Sequence, residues 1–192
     1  MYARIYENLT GYNQYSEKIN INREKIFNVK NYIDDGFEKV CDVLPLKNKE
    51  WVYSKINKDL MFSEHRSWVY FLVIDSSIVK CGETGNPLGI PSKNQYLNEM
   101  QPVTGTTSRF GRLRKQLGDT DEYLRESVVP YVLNGHAVSL WAKKCPIINK
   151  QVLIAGETKT VPTTMHKDLE KMYLEYFKTQ AYCLPLFNKA TK

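Results

Sequence analysis

What the chain has little of narrows its chemistry first. Its four cysteines, Cys41, Cys81, Cys145 and Cys183, stand far apart with no Cys-x-x-Cys pair. That spacing supports neither a zinc site nor a disulfide framework, so buried thiols in a reducing cytoplasm are expected. Histidines number only three, His65, His136 and His166, and are scattered, which argues against a histidine-built nuclease centre. No apolar run approaches the ~20 residues of a membrane span, and the N-terminus lacks a secretory pattern, so no membrane partner is expected. Acids are in the minority: 21 Asp and Glu face 27 Lys and Arg, a net charge of +6. Together with thirteen tyrosines this suggests a polyanionic partner, although an ordinary mildly basic protein would carry the same charge. The 192 residues, 42% of them hydrophobic, suffice for one domain, alone or with an appendage.

The stretch that organises the rest runs from Trp68 to Thr84. Trp68-Val69-Tyr70-Phe71-Leu72-Val73-Ile74 is apolar, β-branched and aromatic, the pattern of a buried strand. Asp75-Ser76-Ser77 signals a turn, and Ile78 to Thr84 reads as the second strand of a hairpin. An ionisable phenol, Tyr70, and an ionisable amine, Lys80, lie in it, and a lysine in so apolar a strand is costly unless partnered or used. Because a one-residue slip reverses every side chain, Tyr70 and Lys80 share a face only if the connection is odd. A three-residue loop, Asp75-Ser76-Ser77, sets Tyr70 opposite Gly82 and Lys80 opposite Leu72.

This hairpin resembles that of the GIY-YIG nucleases. Trp68-Val69-Tyr70 stands where that family has Gly-Ile-Tyr, and Lys80-Cys81-Gly82 where it has Tyr-Ile-Gly. Trp68 replaces the first glycine and Lys80 the second tyrosine. A lysine there is similar to a subset of the family's type II restriction endonucleases.

Before the hairpin, residues 1–66 read as an N-terminal extension, helical or irregular, that could carry dimer or DNA contacts. Ile26, Val29, Ile33, Phe37 and Val40 fall at roughly helical spacing. After it, residues 85–108 form a long connection that looks like an insertion relative to the family. Loops of that length are often functional. Lys93, Asn94 and Gln101 are among its polar groups, the kind that hold phosphates or read base edges, though polarity is also normal in a solvated loop.

A basic helix is expected next, with Ser108 as N-cap and Gly118 as stop. Arg109, Arg112, Arg114 and Lys115 flank an apolar stripe of Phe110, Leu113 and Leu117, an arrangement suited to phosphate and equally to a solvated basic face. The resemblance implies one catalytic arginine here, and an arginine followed directly by an apolar residue points to Arg112. The helical wheel points elsewhere: Arg109 and Arg114 lie nearer the stripe than Arg112, by roughly 60° at ~100° per residue.

A second helix spans Asp119 to Leu133, with Pro130 limiting its end. Ala137 to Ala142 reads as a third strand, and Gln151 to Val161 as a small extra hairpin or loop. The last organised element is a helix from Met165 to about Thr179. On its wheel Glu170, at about 100° from Leu169, falls inside the apolar arc, and Glu175, at roughly 240°, outside it. A carboxylate on that side needs a metal, a cation or a proton. The resemblance makes Glu170 the family's metal ligand and Asn188, in Leu184-Pro185-Leu186-Phe187-Asn188, a support of the site.

The resemblance covers roughly Ser67 to Asn188. It implies an α/β (α+β) domain, residues 67–192, with a three-stranded antiparallel sheet flanked by helices. It also implies hydrolysis of DNA phosphodiesters with one Mg²⁺, or Mn²⁺, on Glu170. In that expectation Tyr70 deprotonates or positions water, Lys80 lowers the phenol's pKa, Arg112 neutralises the phosphate and Gly82 supports the site. A cytoplasmic, homodimeric type II restriction endonuclease acting on double-stranded DNA fits these parts. A less specific phage-type nuclease of the family, or a module that binds nucleic acid without cutting, stays open. A PD-(D/E)xK centre is disfavoured, because Glu157-Thr158-Lys159 has no acidic partner between Ser127 and Gly156.

Overall fold

A computed structural model describes residues 23–45, 51–93, 100–102, 107–115 and 119–188. The side chains at positions 45, 102, 115, 119 and 120 lie outside that description, as do residues 1–22 and the Asn94 named above.

Five strands form the main sheet, where the sequence suggested three. They are β1 (Glu38–Pro45), β2 (Trp51–Ser54), β3 (Trp68–Ile74), β4 (Ser77–Thr84) and a later strand, Val138–Lys144, in the order β2-β1-(138–144)-β3-β4. Every neighbouring pair is antiparallel. The two added strands come from the segment expected to be helical. The regular spacing of Ile26 to Val40 is cut by Gly36, whose φ of +92° turns the chain. A helical turn over residues 23–26 and a 3-10 turn at Val29–Tyr32 precede it, and β1 follows. Helical spacing of five apolar residues was thus outweighed by one position suited to glycine.

The hairpin register is as the parity argument required, by a different route. Tyr70 pairs with Gly82 and Leu72 with Lys80. The turn, however, has two residues, Asp75 and Ser76, both at positive φ (48° and 77°). The odd residue is Val79, bulged between the Leu72–Lys80 and Val73–Ile78 pairs. A two-residue turn with both φ positive matches strand twist, and the bulge restores the shared face.

Alternation on β3 then sorts two cores. Tyr70, Leu72 and Ile74 face a cluster with Phe110, Leu113, Leu124 and Val128. Those four lie on α2 (Arg109–Lys115) and α3 (Asp119–Leu133), which follow the short α1 (Lys58–Met61). Val69, Phe71 and Val73 face Phe27, Tyr32, Phe37 and Phe177. There Phe37 stacks on Phe71 at 3.9 Å, and Phe177 belongs to α4 (His166–Ala181). Pro130 lies inside α3 instead of ending it.

Two smaller hairpins complete the description. β5 (Pro91–Lys93) pairs with β6 (Met100–Pro102), within the expected insertion. After β7, the Val138–Lys144 strand, β8 (Ile147–Ile154) and β9 (Glu157–Thr164) form a longer arm than the sequence suggested. Among the described residues no helix is long and apolar enough to cross a membrane.

Candidate active site

Both edges of the main sheet are finished by a side-chain amide. On β2, Gln101 accepts from the Tyr53 N–H (3.0 Å) and donates to the Tyr53 carbonyl (2.6 Å). On β4, Asn188 does the same for Cys81, at 2.8 Å each way. An edge strand otherwise exposes unpaired peptide groups, and each amide supplies the donor and acceptor a further strand would. Gln101, whose polarity suggested contact with nucleic acid, is therefore buried structure. Asn188 holds the strand that carries Lys80 and Gly82.

Tyr70 is buried on the α2 face, its ring edge-on to Phe110 at 5.7 Å. Gly82 lies directly opposite, and a β-carbon there would sit 2.4 Å from the Tyr70 hydroxyl. Glycine is needed at 82 for space.

The arginine at the phenol is Arg109. Its Nε and Nη2 donate to Tyr70 Oη at 3.0 and 2.7 Å, and its Nη1 donates to Asp121 Oδ1 at 2.7 Å. Arg112, the residue favoured by the local motif, instead lies with its Nε 3.7 Å from Asp121 Oδ2. Arg109 is one of the two arginines, with Arg114, that the helical wheel sets nearer the apolar stripe. Backbone bonds from Arg109 N to Pro87 O and from Phe110 N to Leu88 O fix the start of α2 to the chain leaving β4.

Electrostatics link these groups to α4. Burial pushes the Tyr70 phenol above its ordinary value, and Arg109 opposes this without reversing it. Arg109 is the cation that opposes the rise of the Tyr70 pKa; the Lys80 ammonium is itself disfavoured by burial, with Glu170 opposing. Glu170 is half-buried, and its carboxyl is pushed up by burial and then by Glu83, with Lys80 opposing. The charges of Arg109, Asp121 and Glu170 thus act on both the Tyr70 phenol and the Lys80 amine.

The remaining expected residues are more dispersed. The Arg114 charge, after that of Arg109, opposes the rise that burial imposes on the Tyr53 phenol, and Lys93 is exposed on β5. Sequence reasoning missed Asp121, Glu83 and His166. His166, the first residue of α4, has Nε2 3.3 Å from Glu83 Oε2 and Nδ1 3.3 Å from Ser67 Oγ. Asp121 looked like any acid in a helix's first turn, and no spacing rule joins it to Arg109.

No family model and no curated protein matches the sequence. Solved structures do resemble it. A mutant of bacteriophage T4 EndoII superposes with a TM-score of 0.53 at 13% identity, covering 85% of this chain and 98% of that one. The likeness shows a shared fold. Restriction endonuclease HPY188I in complex with product DNA superposes at 0.43 and 16% identity, covering 95% of this chain and 100% of the other; that superposition is too loose to argue from.

The donor set suits a hard divalent cation. Among the described residues no ion pair within 4 Å involves Glu170, and no group of three or more His, Cys, Asp or Glu side chains could form a complete cage. Magnesium is commonly held by one or two carboxylates, the rest of its shell being water and phosphate. Glu170, with the Glu83 carboxylate raising its pKa, fits that pattern.

Proposed function

We propose that this protein is a metal-dependent DNA endonuclease of the GIY-YIG kind, and within that class a sequence-specific restriction enzyme acting as a homodimer on double-stranded DNA. The observation that carries the reading is the double hydrogen bond from Arg109 to Tyr70 on the hairpin face that also carries Lys80, with the Glu170 charge acting on both Tyr70 and Lys80. The basic charge and the fold likeness support it. Twofold symmetry would match a palindromic site and cut both strands.

Glu170 would hold one Mg²⁺ or Mn²⁺, which supplies Lewis-acid polarisation of the phosphate. The chain's own residues manage the water and the charge. A neutral Tyr70 with both oxygen lone pairs taken by Arg109 keeps its O–H as a donor. It therefore positions the attacking water or a phosphate oxygen, the second of the two roles expected for it. Lys80, whose burial favours the neutral amine, accepts the water proton as the water oxygen bonds to phosphorus and the P–O3′ bond breaks. The 3′ oxygen takes a proton from solvent. Arg112 neutralises charge on the phosphate. Arg114, Lys115, Lys93 and Asn94 are proposed backbone contacts.

Incubation with mixed-sequence duplex DNA and Mg²⁺, followed by sequencing of the fragment ends, tests this. Discrete ends at a fixed sequence support restriction, and a smear supports a less specific nuclease. Binding without cleavage refutes the enzymatic reading.

A further inference from the structure

Arg125 is the basic residue of α3. It is only 8% exposed, and its Nε is sealed from solvent with no hydrogen-bond partner. Among the described residues no hydrogen bond, ion pair or ring contact reaches its guanidinium. The acids near it along the helix do not serve it. Asp121, four residues earlier and so a neighbour on the helix surface, accepts from Arg109 at 2.7 Å. Glu122 and Glu126 are exposed, and neither forms an ion pair with it.

A buried cation without an anion is strongly unfavourable. A lysine there could escape by shedding its proton, but arginine keeps its charge. A basic side chain used for packing alone lays its stem on apolar surface and holds its head in water. The sealed Nε is at odds with that role. Arg114 repeats the pattern on α2, the helix packed against α3: its Nε is also sealed and without a hydrogen-bond partner.

We propose that Arg125 is a phosphate seat, which takes one backbone phosphate of the bound duplex outside the Arg109–Tyr70 centre. An incoming phosphate supplies both the acceptor that Nε lacks and the counter-charge that the guanidinium lacks. Arginine's planar fork suits it, since two parallel N–H groups can meet two phosphate oxygens. The basic helix α2 alongside, in a chain of net charge +6, favours approach of a polyanion. That the phosphate belongs to DNA rests on the nuclease reading; that the seat takes an anion does not.

Arg125→Met keeps an unbranched side chain and removes the charge. In chloride buffer it is expected to melt no lower than the parent, whereas a residue serving the fold alone would melt lower when replaced. Inorganic phosphate stabilises proteins in general, so the difference between parent and variant is the readout. At a few times its dissociation constant, phosphate raises the parent's melting temperature about 2–4 °C more than the variant's. Duplex binding in EDTA tests the DNA half. Each phosphate contact adds about one to the slope of log Kd against log salt. Arg125→Met therefore lowers the slope by about one, and the parent's advantage in affinity shrinks about fourfold between about 50 and 200 mM salt.

Equal phosphate shifts in the two proteins, or a folded variant that melts well below the parent, refute the seat. A phosphate shift larger in the parent, together with equal salt slopes, refutes the backbone assignment and leaves free phosphate as the occupant. Should Arg125→Met not fold, the parent decides. Its Arg125 Nε–H signal, assigned by its absence in Arg125→Lys, moves on addition of inorganic phosphate and of duplex, and a signal that neither moves refutes the seat. A parent that binds duplex and never cuts sinks the nuclease reading alone, because melting and slopes are measured without turnover.

Discussion

The Tyr70 hydroxyl receives two hydrogen bonds from the single guanidinium of Arg109, at 3.0 and 2.7 Å. Removing the hydroxyl leaves the aromatic packing against Phe110 intact and strands two buried N–H groups. Tyr70→Phe is expected to lose about 1–3 kcal/mol of stability, the usual cost of a buried unsatisfied donor, and to cleave DNA at least ~100-fold more slowly. Urea denaturation and single-turnover cleavage check both. A variant that cuts at the parent rate would remove Tyr70 from the chemistry.

Gly82 offers a steric test of the same contact. An added methyl would meet the Tyr70 hydroxyl at 2.4 Å, so Gly82→Ala must displace the phenol or the strand. The expected cost is about 1–3 kcal/mol, typical of overpacking, with cleavage lost. In the double variant Gly82→Ala, Tyr70→Phe, two ring carbons still stand 2.5 and 2.9 Å from the added methyl, so loss of the hydroxyl recovers little of the stability and none of the activity. Melting temperatures of the two single variants and the double variant measure the coupling.

The amides at the sheet edges make a paired prediction. Asn188→Ala and Gln101→Ala each leave one N–H and one carbonyl of an edge strand without a partner. Each is expected to destabilise by about 1–3 kcal/mol. Only Asn188→Ala also impairs cleavage, because β4 carries Lys80 and Gly82 whereas β2 carries no proposed site residue. Equal loss of activity per unit of lost stability in both variants would show that Asn188 has no privileged link to the site.

Glu170 separates stability from function. Burial and Glu83 raise its folded pKa above the unfolded value. Stability from such a group is fully present below the unfolded pKa and is lost as pH rises through the folded pKa. Glu170→Gln keeps the side chain neutral and escapes that loss. In metal-free buffer the variant is expected to be more stable than the parent at neutral pH, with the two converging in acid. Urea midpoints across the pH range provide the measurement, and a Gln variant less stable at neutral pH would contradict the sign. Sites tuned for function commonly carry such a cost.

How much was legible beforehand depended on the range of the interaction. The central hairpin, the α3 bounds and the inward Glu170 follow from local periodicity, and the Tyr70–Gly82 register follows from parity alone. The two extra strands were hidden because β1 reads ambiguously beside a helical spacing and finds its partners across the fold. The connection from Ile74 to Ile78 was misjudged in detail, since a bulge at Val79 replaces the third turn residue. Asp121 was invisible for another reason. Its meaning comes from the packing of α3 on α2, and no sequence interval encodes that approach. The wheel, its angle fixed by burial of Phe110 and Leu113, narrows the arginine in contact with the phenol to Arg109 or Arg114, and only the packing against Tyr70 chooses between them.

The central claim is that a carboxylate on α4 serves the same phosphate as the phenol and the amine on the hairpin. Single-turnover cleavage of a duplex by the parent and by Glu170→Gln, each titrated with Mg²⁺ alongside its binding affinity for the uncut duplex, tests it most directly. The expected result is metal-dependent cutting by the parent, and duplex binding without cutting by Glu170→Gln at every Mg²⁺ concentration. Cutting by Glu170→Gln at the parent rate and with the parent metal dependence would contradict the account.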